Sequence, residues 1–190
     1  MTAAMLKYLP NLLTTARLLL ALPLGLLILR EQYGGALLVG VVAGVSDALD
    51  GFAARRLQAF SRFGAMLDPL ADKLLVTVSF LSFAGVGLVG WPLAALVIGR
   101  DLVIVAGAVA YRLLVGPFPF GASVLSKLNM GVQIIFCVLL LAGQALTPVP
   151  ASLITIGSAV VVAAALASGV HYVVTWSLRA KRELAGERPA

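Results

Sequence analysis

The sequence predicts an all-α membrane protein of six transmembrane helices with both termini cytoplasmic, and three observations carry that prediction. The composition is 61% hydrophobic and 12% charged, with a mean hydropathy of +1.06. Apolar runs of about 20 residues follow one another with turn-type residues between them, and the basic residues gather on alternate links. Soluble domains are far more polar than this. At about 20 apolar residues per span, a chain of 190 residues holds about six spans and leaves no room for a separate soluble domain. The net charge of +6 follows the cytoplasmic basic bias of membrane proteins and argues for no nucleic-acid partner. A single cysteine, Cys137 in an apolar run, excludes a disulfide framework or a cysteine metal site.

The elements follow in order. Met5, Leu6, Tyr8 and Leu9 around Lys7 have the composition of a short N-terminal interfacial helix. The first span, 11–29, ends in Ile28-Leu29-Arg30-Glu31 with no small-residue cleavage site, so it is read as retained. Gly34-Gly35 marks the turn into the second span, 35–54, where Gly40 and Gly44 form a small-xxx-small pattern for close helix packing. The third span is 64–86, and the glycines from Gly85 to Gly90 lead to the fourth, 91–114. Gly116, Pro117 and Pro119 precede the fifth, 125–145, and Pro148 with Pro150 precedes the sixth, 151–175. Trp91 and Trp176 are aromatic-belt anchors, and His171, the one histidine, marks the interface. The organisation is therefore a juxtamembrane segment 1–10, a membrane domain 11–176 and a basic cytoplasmic tail 177–190.

Basic residues set the orientation. Lys7 and Arg17, then Arg55, Arg56 and Arg62, then Arg112 and Lys127, then Arg179, Lys181, Arg182 and Arg188 fall on one side, whereas the opposite links carry only Arg30. That places both termini in the cytoplasm. The same basic skirt attracts anionic lipid headgroups by about 1 kcal/mol per residue.

Five of the eight acidic residues, Asp47, Asp50, Asp68, Asp72 and Asp101, lie inside or at the ends of spans. An aspartate at the middle of a membrane helix costs about 2.5–3.5 kcal/mol on insertion scales, so the cluster needs a reason. Asp47 and Asp50 are spaced i, i+3 and Asp68 and Asp72 i, i+4, which puts each pair on one face of its helix. Converging carboxylates raise one another's pKa unless cations hold them ionised. Oxygen ligands with no His or Cys nearby suit Mg²⁺ or Mn²⁺, and two such ions sharing carboxylates clamp phosphate oxygens for an in-line displacement. Salt bridges to Arg55, Arg56, Arg62 and Lys73 are the structural alternative.

The segment Asp47-Ala-Leu-Asp50-Gly51-Phe-Ala-Ala54-Arg55, followed after eight residues by Gly64-Ala-Met-Leu-Asp68-Pro-Leu-Ala-Asp72, resembles the signature of the CDP-alcohol phosphatidyltransferases at every fixed position. Small residues at Gly51 and Ala54 let a nucleotide approach the helix backbone, and Arg55 offers a planar donor fork. The resemblance implies that Asp47, Asp50, Asp68 and Asp72 hold two divalent metals and that Asp72 is the general base. It also implies that Gly51, Arg55 and Ser61 contact the CDP part of a CDP-lipid, with Asn11 and Thr14 reaching the nucleotide from the first span. The implied reaction is attack of an acceptor hydroxyl on the β-phosphorus of CDP-diacylglycerol, with release of CMP.

The acceptor is read elsewhere. Pro10-Asn11-Leu12-Leu13-Thr14-Thr15-Ala16-Arg17 resembles the opening of two branches, the phosphatidylglycerophosphate synthases and the eukaryotic-type cardiolipin synthases. Ile98-Gly99-Arg100-Asp101 and Ser126-Lys127-Leu128-Asn129-Met130-Gly131-Val132-Gln133 are more similar to the second branch. Phosphatidylglycerol is therefore the expected acceptor, contacted by Arg100, Lys127, Asn129 and Gln133, of which Asn129 and Gln133 share a helical face with Ser126. The alternative is glycerol 3-phosphate as acceptor, and a more remote one is a cation channel or transporter. The resemblance further implies a homodimer in a bacterial cell inner membrane, with membrane lipids as its surroundings and its active site facing the cytoplasm.

Overall fold

A computed structural model of the chain describes residues 9–57, 62–114, 116 and 123–184, and the side chains of 15–46, 73–114, 116 and 123–183. Six α-helices account for nearly all of them: α1 Leu9–Leu29, α2 Tyr33–Leu57, α3 Arg62–Gly85, α4 Trp91–Leu114, α5 Val124–Ala145 and α6 Ala151–Leu184. No strand occurs among the described residues. Three stretches are long and apolar enough to cross a membrane: Trp91–Leu114, Val124–Ala145 and Ala151–Glu183. The described apolar stretches of the other helices are shorter, Thr15–Leu29, Tyr33–Ser46 and Lys73–Gly85. The proposed N-terminal interfacial helix lies outside the described residues, apart from Leu9 at the start of α1.

The chain divides into two compact units, Met1–Trp91 with Cys137–Pro150, and Pro92–Phe136 with Ala151–Ala190. In the first, α1 packs on both α2 and α3. Ala21, Leu24 and Ile28 line the buried face of α1, Ala36 and Ala43 that of α2, and Val76, Phe80 and Phe83 that of α3, all at the three-, four- and seven-residue spacings of one helix face. The Phe80 and Phe83 rings meet edge to face at 6.5 Å. Leu19, Leu22, Leu26 and Leu29 are exposed on α1, as befits a helix with lipid around it. Gly25 permits the close approach of α1 and α3, because a Cβ there would stand 2.5 Å from Val78 Cγ1 and 3.2 Å from Ser82 Oγ.

The C-terminal ends of α1 and α3 close alike. Gln32 N–H donates to Leu27 O at 2.9 Å and Glu31 N–H to Ile28 O at 2.9 Å, with Glu31 in the left-handed region at φ 57°. Leu88 N–H donates to Phe83 O at 2.9 Å and Gly87 N–H to Ala84 O at 3.3 Å, with Gly87 at φ 78°. Both are Schellman caps. The first differs from the sequence expectation: Gly34 and Gly35 belong to α2, and the reversal falls on Glu31. Gly35 faces Leu27, where a Cβ would make ordinary contact with a methyl at 3.4 Å.

In the second unit Leu93, Ala94, Val97, Ala108 and Tyr111 are buried on α4, and Val161, Ala165 and Ser168 on α6. Towards their C-terminal ends α4 and α6 stay together. A Cβ at Gly107 would lie 3.3 Å from Tyr172 Cε1, and the Tyr111 and Trp176 rings meet edge to face at 5.0 Å. Arg179 sits over the Trp176 ring at 5.7 Å and pairs with Glu183 at 3.0 Å. The polar segment expected as a tail is thus helical as far as Leu184, and that (i, i+4) pair helps to continue it. With 34 residues, α6 is about 51 Å long.

Candidate active site

Asp47, Asp50, Gly51 and Arg55 lie on α2, Asp68 and Asp72 on α3, and Asn11 and Thr14 on α1. The helical backbone is continuous across both acidic pairs, so the i, i+3 and i, i+4 spacings put each pair on one face of its helix. The side chains of these eight residues lie outside the described set, and Ser61 lies outside it altogether. Among the described residues no group of three or more His, Cys, Asp or Glu is placed to hold a metal. The donor set on α2 and α3 fits a hard divalent cation by its chemistry: four carboxylates, with no His or Cys anywhere from Tyr33 to Gly85.

The second unit holds a polar cluster whose side chains are described. The Arg100 side chain, 7% exposed, donates from NH1 to Asp101 Oδ1 at 2.5 Å. Its NH2 donates to Ser126 Oγ at 2.9 Å and to Ser168 Oγ. The two serine oxygens are 3.4 Å apart, and Ser123 Oγ donates to Ser126 Oγ at 3.2 Å. Three helices therefore meet at one guanidinium. Arg100 contributes it from α4, Ser126 stands on the first turn of α5, and Ser168 comes from the buried face of α6. Ser123 caps α5, its Oγ accepting the Ser126 N–H at 3.2 Å. The cluster consequently sits at the positive end of that helix.

One and two turns further along the same face of α5 lie Asn129, 1% exposed, and Gln133, 2% exposed. Neither amide atom of Asn129 has a hydrogen-bond partner, nor do Gln133 Nε2 and Arg100 Nε. A buried polar group left unpaired costs about 1–3 kcal/mol. Several together on the face that carries Ser126 call for water or a ligand. Of the residues expected at the acceptor, Arg100, Asn129 and Gln133 are buried, whereas Lys127 is exposed.

The structure gives a place to three residues outside the expected site set, of which Asp101 was already conspicuous in the sequence as an acid within a span. Asp101 stands against Arg100, Ser168 closes the cluster from α6, and Arg17 is 2% exposed on α1 although its sequence position marked it only as a topological cation. Ser123 had a signal, an N-cap serine ahead of an apolar run. Ser168 had none, being one serine in a run of small and apolar residues.

Apolar helices that keep their polar and charged groups on selected faces have the organisation of an integral membrane protein. The chain belongs to the CDP-alcohol phosphatidyltransferase family, whose profile matches residues 7–176. It is 38% identical over 142 residues to the CMP-forming cardiolipin synthase of Rattus norvegicus, an overlap covering 66% of this chain and 47% of that one. It is 50% identical over 74 residues to the CMP-forming cardiolipin synthase of Streptomyces coelicolor, covering 35% and 34% of the two chains. It is 36% identical over 102 residues to the CDP-diacylglycerol–glycerol-3-phosphate 3-phosphatidyltransferase of Aquifex aeolicus, covering 53% and 57%. The matched region spans about half the length of the rat relative.

Proposed function

We propose that this chain transfers the phosphatidyl group of CDP-diacylglycerol to phosphatidylglycerol, making cardiolipin and releasing CMP. The observation that carries the acceptor side is the buried Arg100 guanidinium, held by Ser126 and Ser168 at the start of α5 beside the unpartnered amides of Asn129 and Gln133. A guanidinium at a helix N-terminus receives a phosphate, and the amides receive the hydroxyls of a glycerol headgroup. Asp101 already balances much of the Arg100 charge at 2.5 Å, which suits the single charge of a phosphodiester. Lys127 supplies a further cation at the exposed edge.

Asp47, Asp50, Asp68 and Asp72 would hold two Mg²⁺ or Mn²⁺ ions. When bound, these supply charge neutralisation at the pyrophosphate. Gly51, Arg55 and Ser61, with Asn11 and Thr14, bind the CDP part. Asp72 accepts the proton of the acceptor hydroxyl as its oxygen forms a bond to the β-phosphorus. The bond from that phosphorus to the CMP oxygen breaks, and CMP leaves with the electron pair. The setting is a bacterial inner membrane, with the protein a homodimer and the site facing the cytoplasm, a placement supported by the basic residues on that side.

The similarity to the Aquifex aeolicus enzyme supports a second reading, in which glycerol 3-phosphate is the acceptor. Purified protein supplied with CDP-diacylglycerol, Mg²⁺ and each acceptor separately decides between them by CMP release and product mass. A four-chain lipid from phosphatidylglycerol supports the first reading, and release only with glycerol 3-phosphate supports the second.

A further inference from the structure

Serine and threonine hydroxyls in apolar helices ordinarily satisfy themselves on the carbonyl four residues back. Ser79 does so on Leu75 O at 2.8 Å, Ser158 on Ile154 O at 2.8 Å and Thr155 on Ala151 O at 3.0 Å. Ser168 behaves differently. It is fully buried, at 0% exposure, and its oxygen accepts from the guanidinium of a residue 68 positions earlier in the chain. The stem of that arginine lies against α6 at the adjacent Gly169, where a Cβ would be in ordinary contact with Arg100 Cγ at 3.5 Å. Ser168 and Gly169 thus meet the head and the stem of one cation from α4.

The NH2 nitrogen of an arginine lies on the same edge as its Nε–H. Ser126 and Ser168 both take hydrogen bonds from NH2, whereas Nε has no partner. Fixing NH2 from two helices fixes the plane of the guanidinium, and with it the direction in which the unused Nε–H points. Asp101 holds NH1, so loss of Ser168 would leave NH2 with one partner in place of two and loosen the setting of that edge without releasing the group.

We propose that Ser168 is a positioning residue for the acceptor: it holds Arg100 so that the Nε–H is presented to the acceptor's phosphate. The inference rests on Arg100 being the acceptor-phosphate contact proposed above. Ser168 itself touches Arg100 and takes no part in the bond-making step.

The test is Ser168→Ala, which removes one oxygen and adds no bulk. It is assayed by CMP release with the acceptor that supports turnover, phosphatidylglycerol or glycerol 3-phosphate, each substrate being varied in turn. The expected result is an acceptor KM raised about tenfold, with the KM for CDP-diacylglycerol and the turnover at saturating acceptor within about twofold of the parent. Ser168→Thr keeps the hydroxyl and restores the acceptor KM. Ser168→Cys, close to serine in volume but a weak acceptor, shifts it in the direction of Ala. In an Arg100→Ala background, Ser168→Ala adds nothing, because the two act as one unit. An unchanged acceptor KM, or equal losses towards both substrates, overturns the positioning role. The parent reading fails separately: it falls if Arg100→Ala itself leaves the acceptor KM unchanged, whatever Ser168→Ala does.

Discussion

Arg100 on α4 and Ser126 on α5 are joined by a hydrogen bond of 2.9 Å between guanidinium and hydroxyl across 26 residues of chain. The bond ties an intramembrane cation to the first turn of the following helix. It also leaves the guanidinium only partly used, since Nε remains unpartnered.

Arg100→Ala is expected to raise the acceptor KM by about one to two orders of magnitude, the equivalent of losing a hydrogen bond to a charged group. Arg100→Lys should recover little of the loss, because an ammonium cannot reproduce contacts to Asp101, Ser126 and Ser168 in one plane. Initial rates of CMP release against acceptor concentration check both.

Asp72→Asn removes the group assigned to take the hydroxyl proton. Turnover should fall by about 10²–10⁴, while divalent-metal-dependent binding of CDP-diacylglycerol stays measurable by equilibrium binding to the detergent-solubilised protein. Near-normal turnover in this variant would remove Asp72 from the base role.

Chelation with EDTA should abolish CMP release, and added Mg²⁺ or Mn²⁺ should restore it. Asp47→Asn and Asp68→Asn should each shift the restoring metal concentration upward, because each removes one anionic oxygen ligand from a hard-cation site. A titration of rate against metal concentration reads this directly.

Gly25→Ala places a methyl 2.5 Å from Val78 Cγ1. It should destabilise the α1–α3 contact by about 1–3 kcal/mol, the range for overpacked interiors. The midpoint of thermal denaturation in detergent should fall accordingly.

Glu31→Gly should act in the opposite direction. Glu31 holds the left-handed position of a helix cap at φ 57°, where an L side chain costs about 1–2 kcal/mol and glycine does not. Part of that gain is offset by the greater chain entropy of unfolded glycine, leaving about 1 kcal/mol of stabilisation in the same thermal assay.

Glu31 also illustrates what the sequence could not display. Gly87 was readable as a turn because glycine populates the left-handed region freely, and the structure places it there at φ 78°. The same cap at the end of α1 is made by a glutamate, while the conspicuous Gly34-Gly35 pair continues into α2. The acidic spacings of α2 and α3 were legible because a helix converts separation in sequence directly into a shared face. Asn129 and Gln133 were legible for the same reason, three and seven residues beyond Ser126 on α5. Ser168 was not, since its meaning lies in a partner 68 residues away and no local periodicity reports that distance. Lys127 adjoins Ser126 in sequence, yet one residue along a helix is about 100° around its axis, and its side chain is exposed. The length of α6 was hidden because the residues after Trp176 are polar, and hydropathy marks where apolar residues end, whatever the backbone does beyond them.

The three helices that meet at Arg100 do not end together. α4 continues for 14 residues beyond Arg100 and α6 for 16 beyond Ser168, about 21 and 24 Å of rod, and they remain fastened through Gly107 with Tyr172 and Tyr111 with Trp176. α5, by contrast, begins two residues before Ser126. Among the described residues, α4 and α6 therefore run on together beside the guanidinium well past the level at which α5 starts. Two rods fastened at one cation and again beyond it act as a splint, so the height of Arg100 along the bundle is set by the α4–α6 pair and not by where α5 begins.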